Sequence, residues 1–160
     1  MNKAELKQAI LHELNNIHKQ ALSATQTAIN DATDEETVSE HKYDTLALEA
    51  SYLAHGQAVR VQECEQDIRA YQALVMKEMT EQATISLSSL VTLIDEDEKA
   101  AYFFVGPSAG GVSFEFLDMK ISIVTPNAPL GRALMGKTEE DDVELILGNK
   151  TVCYEVARIV

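Results

Sequence analysis

Ile121-Ser-Ile-Val-Thr-Pro-Asn-Ala-Pro-Leu-Gly-Arg-Ala-Leu-Met-Gly-Lys137, continued by Thr138-Glu-Glu-Asp-Asp-Val143, reads as a strand, a short helix, a glycine turn and an acidic lead-in to another strand. Pro129 suits the first turn of that helix, because its missing N–H is one that no intrahelical acceptor would have satisfied. Upstream, Ile85-Ser-Leu-Ser-Ser-Leu-Val-Thr-Leu-Ile94 and Ala101-Tyr-Phe-Phe-Val105 are rich in strand formers. The charged segment Asp95-Glu-Asp-Glu-Lys99 joins them as a hairpin turn would. Pro107-Ser-Ala-Gly-Gly111 marks a loop, and the span from Val112 to Thr125 alternates as a strand bent or interrupted near Asp118. Downstream, Val143-Glu-Leu-Ile-Leu147, a turn at Gly148-Asn149 and Thr151 to Val160 form a closing hairpin. Residues 81–160 are therefore expected to fold as a small, mostly antiparallel sheet with one short helix.

The first half follows a different period. From Met1 to about Thr80 there is no proline, and Gly56 is the only glycine, so the stretch can stay helical almost throughout. Ala47, Ala54, Val61, Ile68 and Val75 recur every seven residues, with Ala50, Gln57, Cys64 and Tyr71 in the fourth place of each repeat. That spacing is a narrow heptad seam, suited to one helix packed on another. Ile10, Ile17 and Ala24, with Leu14, Ala21 and Ala28, supply the partner seam. Between the seams, Asn30-Asp-Ala-Thr-Asp-Glu-Glu-Thr-Val-Ser-Glu40 is rich in side chains that compete for backbone hydrogen bonds, and the chain is expected to reverse there. Thr37 or Ser39 is the candidate cap of the second helix. A helix of about 28 residues rises on the order of 40 Å, so the expected architecture is α+β. An antiparallel helical hairpin, a coiled coil of residues 1–80, precedes the sheet domain of residues 81–160.

Charge restricts the partners. The 160 residues carry a formal charge of -13, and both halves share it, with 7 basic against 13 acidic side chains in residues 1–80 and 6 against 13 in residues 81–160. Neither half offers a basic surface for duplex DNA. No apolar run approaches the roughly 20 residues of a membrane span, and Met1-Asn-Lys-Ala-Glu-Leu-Lys lacks the apolar core of a secretory signal, so the expected location is the cytoplasm. Cys64 and Cys153 lie far apart and read as small buried hydrophobes. His12, His18, His41 and His55 share no ligand spacing with them. Tyr102, Phe103, Phe104, Phe114 and Phe116 alternate through strands as core and sheet face.

The run Pro129-Leu-Gly-Arg-Ala-Leu-Met-Gly-Lys137 with Asp141-Asp-Val143 resembles the C-terminal domain of Gre-type transcription elongation factors in order and spacing. Ser39-Glu-His-Lys-Tyr-Asp44 and Glu49-Ala-Ser-Tyr-Leu-Ala-His-Gly-Gln57 resemble, more loosely, the rising helix of that family's hairpin. The resemblance implies an FK506-binding-protein-like (FKBP-like) C-terminal domain that docks at the rim of the RNA polymerase secondary channel. It also implies a coiled coil passing down the channel, with tip carboxylates helping to hold a second magnesium ion at the polymerase active site. Backtracked RNA is then cut by the polymerase, so the factor is an accessory and not itself an enzyme. It would bind no cofactor alone, meet nascent RNA only indirectly, and act as a monomer.

Under the resemblance, Asp34, Glu35, Glu36 and Glu40 form the acidic tip, with Glu36 and Glu40 as the magnesium-sharing pair. Magnesium takes oxygen ligands and commonly uses only one or two carboxylates. The family's tip reads Asp, Leu, Lys, Glu, whereas this chain has Thr37, Val38, Ser39 and Glu40 at those places. Asn127, Pro129 and Arg132 are the expected docking residues, with Ala128 where the family commonly has serine. Three alternatives accompany this reading: a channel-occupying regulator without cleavage, a coiled-coil adaptor whose heptad face pairs between chains, and a prolyl isomerase. An isomerase needs an aromatic-lined pocket, and this chain has no tryptophan and confines these aromatics to strands.

Overall fold

A computed structural model of the protein describes residues 2–33, 45–77 and 84–160. Helix α1 spans Lys3–Thr33 and helix α2 spans Thr45–Ala73. The Asn2 side chain starts α1 by accepting the N–H groups of Ala4 at 3.0 Å and Glu5 at 3.3 Å, satisfying donors that have no partner within the helix. Interhelical contacts run in opposite senses along the two helices, Lys7 meeting Gln72 and Leu74 while His18 meets Glu65, so the pair is antiparallel.

The chain divides into two compact units. One, residues 11–69, holds parts of α1 and α2 and no strand among its described residues. The heptad reading holds within it: Leu14, Ala21, Ala28 and Cys64 are buried, and Ile17, Ala24, Ala50, Ala54, Gln57, Val61 and Ile68 are half-buried. Ala47 lies outside the described side chains. Small residues dominate this seam, so its stability comes from many small apolar contacts rather than a few large ones. His18 Nε2 lies 3.7 Å from Glu65 Oε1, and Arg69 reaches the other oxygen of that carboxylate at 3.4 Å.

The other unit holds residues 1–10 and 70–160. This division by contacts assigns the first and last turns of the helical pair to the sheet, where the sequence-based boundary stands at 80/81. Its six strands are β1 (Leu90–Asp95), β2 (Ala100–Val105), β3 (Ser113–Phe116), β4 (Met119–Val124), β5 (Asp142–Leu147) and β6 (Lys150–Ile159). They form one sheet in the order β3-β4-β2-β1-β6-β5. Every neighbouring pair is antiparallel except β2 and β4, which run parallel from Tyr102↔Ile121 to Val105↔Val124. The sheet is thus mixed. The expected interruption near Asp118 is the turn of the β3–β4 hairpin, made at Leu117 and Asp118 with φ of 51° and 60°.

Strand alternation sends side chains to both faces, and both are buried. On one face Val91, Leu93, Val105, Val124, Val143, Val156 and Ile159 form a core with Ile85 and Leu134. On the other, Leu90, Phe104, Phe114, Ile121 and Ile123 are buried, and the Phe104 ring lies 6.3 Å from that of Tyr71. Tyr71 is the last seam residue to be buried; Val75, next in the heptad, falls beyond the end of α2 and is 76% exposed.

Residues 85–89 correct the expected strand of residues 85–94, since β1 begins only at Leu90. Serines redirect the backbone here. Ser89 Oγ accepts the Ser86 N–H at 3.0 Å, Ser88 Oγ accepts the Lys77 N–H at 3.0 Å, and Ser88 stands at φ 73°. Such side-chain bonds offer the backbone an alternative to a ladder.

Candidate functional site

Helix α3, Pro129–Leu134, begins with the proline at its first turn and has no side-chain cap. Thr125 supplies the turn before it by accepting the Ala128 N–H at 3.0 Å. Gly131 and Leu134 are buried, and Ala128, Leu130 and Ala133 pack partly buried against the valine-rich core. Opposite them, Asn127, Pro129 and Arg132 are all exposed. The three expected docking residues therefore share the outward side of one short, anchored segment. The Arg132 guanidinium makes no ion pair among the described residues. Ala128, the position of the family serine, belongs to the inward side.

The end of α3 is held from an unexpected quarter. Gly136, at φ 80°, donates its N–H to the Ile85 carbonyl at 2.9 Å, and the Ile85 N–H reaches the Lys137 carbonyl at 2.8 Å. The positive φ is one that glycine adopts without steric cost. Met135, three residues after Arg132 and exposed, extends the outward side; its spacing from Arg132 was the available signal.

The acidic lead-in is structural. Asp141 Oδ2 accepts the Thr138 N–H at 2.7 Å and the Thr138 hydroxyl at 2.9 Å. These two bonds, the backbone one first, hold the Asp141 carboxyl below its usual range. Glu139 Oε1 accepts the Ile159 N–H at 2.8 Å, and the Asp141 carbonyl accepts the Val156 N–H at 2.9 Å. The motif thereby closes α3 onto β6, and Val143 is buried beneath it.

The acidic tip residues Asp34, Glu35, Glu36 and Glu40, and the candidate caps Thr37 and Ser39, lie outside the described residues. Glu36 and Glu40 carry the oxygen donors that magnesium prefers. Among the described residues, no group of three or more His, Cys, Asp or Glu is placed to hold a metal, and no helix is long and apolar enough to cross a membrane. Cys64 is buried and Cys153 half-buried, and loss of water pushes both thiols up.

Residues 79–160 match the family described as transcription elongation factor, GreA/GreB, C-term. The transcription elongation factor GreA of Francisella tularensis subsp. novicida (strain U112) is 26% identical over 155 residues, covering 96% of this chain and 91% of that protein. Among solved structures, Gfh1 of Thermus aquaticus aligns at a TM-score of 0.41 and 20% identity, over 95% of this chain and 94% of that one. The GreA factor homolog 1 (Gfh1) of Thermus thermophilus aligns at 0.40 and 19%, over 94% of each. At these TM-scores the structural likeness adds no weight to the assignment, which rests on the domain match.

Proposed function

The chain belongs to the GreA/GreB family of transcription elongation factors, and from that premise we propose that it binds RNA polymerase through the secondary channel and regulates elongation there. The observation that carries this reading is the family domain itself, with Asn127, Pro129 and Arg132 exposed together on one side of α3. An exposed guanidinium suits a carboxylate on a partner surface, where paired N–H donors give orientation as well as attraction. The protein acts as a monomer in the cytoplasm, as an accessory to the polymerase and not as an enzyme. The -13 charge supports protein docking over contact with duplex DNA.

In this reading Glu36 and Glu40 lend carboxylate oxygens to a magnesium ion shared with the polymerase, and Asp34 and Glu35 add negative charge around them. A second metal in such a site activates water and steadies the leaving oxygen. The chain's own part is to carry the carboxylates; nascent RNA meets them only within the polymerase.

A second reading is favoured by Thr37 at the place of the family's aspartate: a factor that occupies the channel without promoting cleavage. The adaptor reading is less favoured, because the heptad face is already buried within a single chain.

RNA cleavage by a stalled, backtracked polymerase complex separates these. Cleavage stimulated by the protein and lost in Glu36→Ala/Glu40→Ala supports the tip as a metal-supporting accessory. Absent stimulation, with protection against an authentic Gre factor added afterwards, supports channel occupation. No effect of either kind overturns both and returns the adaptor reading, which concentration-dependent mass in solution would then test.

A further inference from the structure

Lys3 is charged yet only 5% exposed. Lysine is almost never so buried unless its ammonium is paired or hydrogen-bonded. Its Nζ donates to the carbonyl of Lys77, just beyond α2, and lies 3.5 Å from the carbonyl of Ser88, just before β1. These two residues are also joined directly, the Lys77 N–H donating to Ser88 Oγ at 3.0 Å. Ser88 is itself fully buried, stands at φ 73°, and gives its N–H to the Val105 carbonyl in β2 at 2.9 Å. One turn along α1, Lys7 Nζ donates to the carbonyls of Gln72 at 2.9 Å and Leu74 at 2.7 Å. Lys7 thus caps the carbonyl end of α2, where backbone acceptors are unsatisfied and the helix dipole favours positive charge, while Lys3 acts on the segment beyond it.

The two lysines differ in what they reach. Lys7 touches only the end of α2 and the residue that follows it. Lys3 touches the segment after α2 and the turn that starts the sheet, so its ammonium is the point at which α1, the end of α2 and the sheet meet. A strained, buried serine held by three hydrogen-bonded neighbours is a backbone arrangement that the surroundings must maintain.

We infer that Lys3 is a positioning residue: its buried ammonium latches the exit of α2 to the Ser88 turn and fixes the helical root, residues 3–10 and 70–77, on the sheet of their unit. The functional half of this inference rests on the elongation reading above. A factor whose helices carry the acting carboxylates needs that root held, because small misplacements of acting groups are costly in rate.

The test uses the full chain with Lys3→Met, which keeps side-chain length and removes the donors. Amide exchange is the first readout. The Lys77 amide should exchange faster by about tenfold while Leu93, Ile121 and Val156 amides of the sheet stay within about twofold. Ser88→Gly, which retains the positive φ and removes the hydroxyl, should open the same amide, and the double variant should add little to either single one. Unchanged Lys77 exchange in both variants overturns the latch; uniform acceleration across the sheet overturns it in favour of a general packing role. If Lys3→Met does not fold, Lys3→Gln, which removes the charge and shortens the reach, carries the same exchange readout with the same two outcomes.

Elongation on a stalled polymerase complex is the second readout. Lys3→Met should lower the maximal effect at saturating protein by about threefold or more, with the half-maximal concentration within about twofold, since the outward side of α3 is untouched. Lys3→Arg, which keeps charge and donors, should restore most of it. A change in half-maximal concentration alone overturns the positioning role. A wild-type protein with no effect on elongation overturns the elongation reading and this functional half together, while Lys77 exchange still decides the latch.

Discussion

Gly131 passes so near Thr125 that a Cβ built on the glycine would stand 1.9 Å from the threonine carbonyl oxygen. That carbonyl is backbone, already accepts the Ala128 N–H, and cannot swing aside as a side chain tip would. The contact sets how closely α3 lies against the end of β4, and with it where Asn127, Pro129 and Arg132 stand.

Gly131→Ala is accordingly expected to destabilise the sheet unit by about 1–3 kcal/mol, the usual cost of forced overpacking. Denaturant midpoints measure this. A midpoint equal to wild type would mean that α3 relocates freely, and the tight approach would then not set the position of the outward residues.

Tyr71 is fully buried at the foot of α2, and its hydroxyl donates to the Ser108 carbonyl at 3.0 Å. Tyr71→Phe keeps the ring against Phe104 but removes the donor, so a loss of about 1 kcal/mol is expected. Chemical denaturation checks the size, and Tyr71→Ala should cost several times more, about 3–5 kcal/mol, because the ring volume goes too.

Gly56 sits within α2, is exposed, and has nothing within 4 Å of an added Cβ. Gly56→Ala should therefore stabilise the helical unit by up to about 1 kcal/mol, through helix propensity and a less disordered unfolded chain. Thermal unfolding followed by far-ultraviolet circular dichroism would show a raised midpoint; a lowered one would reveal a partner at that face of α2.

Asp141 gives the acid limb of stability a defined sign. Its carboxyl is held below the ordinary value by the two Thr138 bonds, so the folded state prefers the ionised form. The stabilisation is fully present above the unfolded value of about 4 and is lost as pH falls through the lower folded value. Comparing wild type with Asp141→Asn, the gap in stability should be constant near neutrality and shrink below about pH 4. A gap independent of pH would assign the contribution to shape rather than charge.

The heptad seam was legible because packing one helix on another demands an apolar residue every three or four positions whatever lies elsewhere. Leu14, Ala21, Ala28 and Cys64 accordingly turned up buried. The α3 segment was legible for a local reason as well, Pro129 opening the helix and Gly136 leaving it. The strand reading of residues 85–89 failed because richness in strand formers says nothing of hydroxyl bonds to Lys77 and Ser86. Nor does a charged run announce that Glu139 and Asp141 bond the backbone while Glu140 and Asp142 between and beside them are exposed.

What the sequence determined by itself is what depends on spacing along the chain: two paired helices, a strand-rich second half, a proline-opened helix and the acidic segment between the helices. Only the tertiary structure decided the parallel pairing of β2 with β4, the burial of Lys3 and Tyr71, and the Ile85 contact that holds the end of α3. The physical reason is distance along the chain. Periodicity records which face a residue turns inward, whereas Lys3 meeting Ser88, or Ile85 meeting Gly136, depends on backbone groups that carry no side-chain signature.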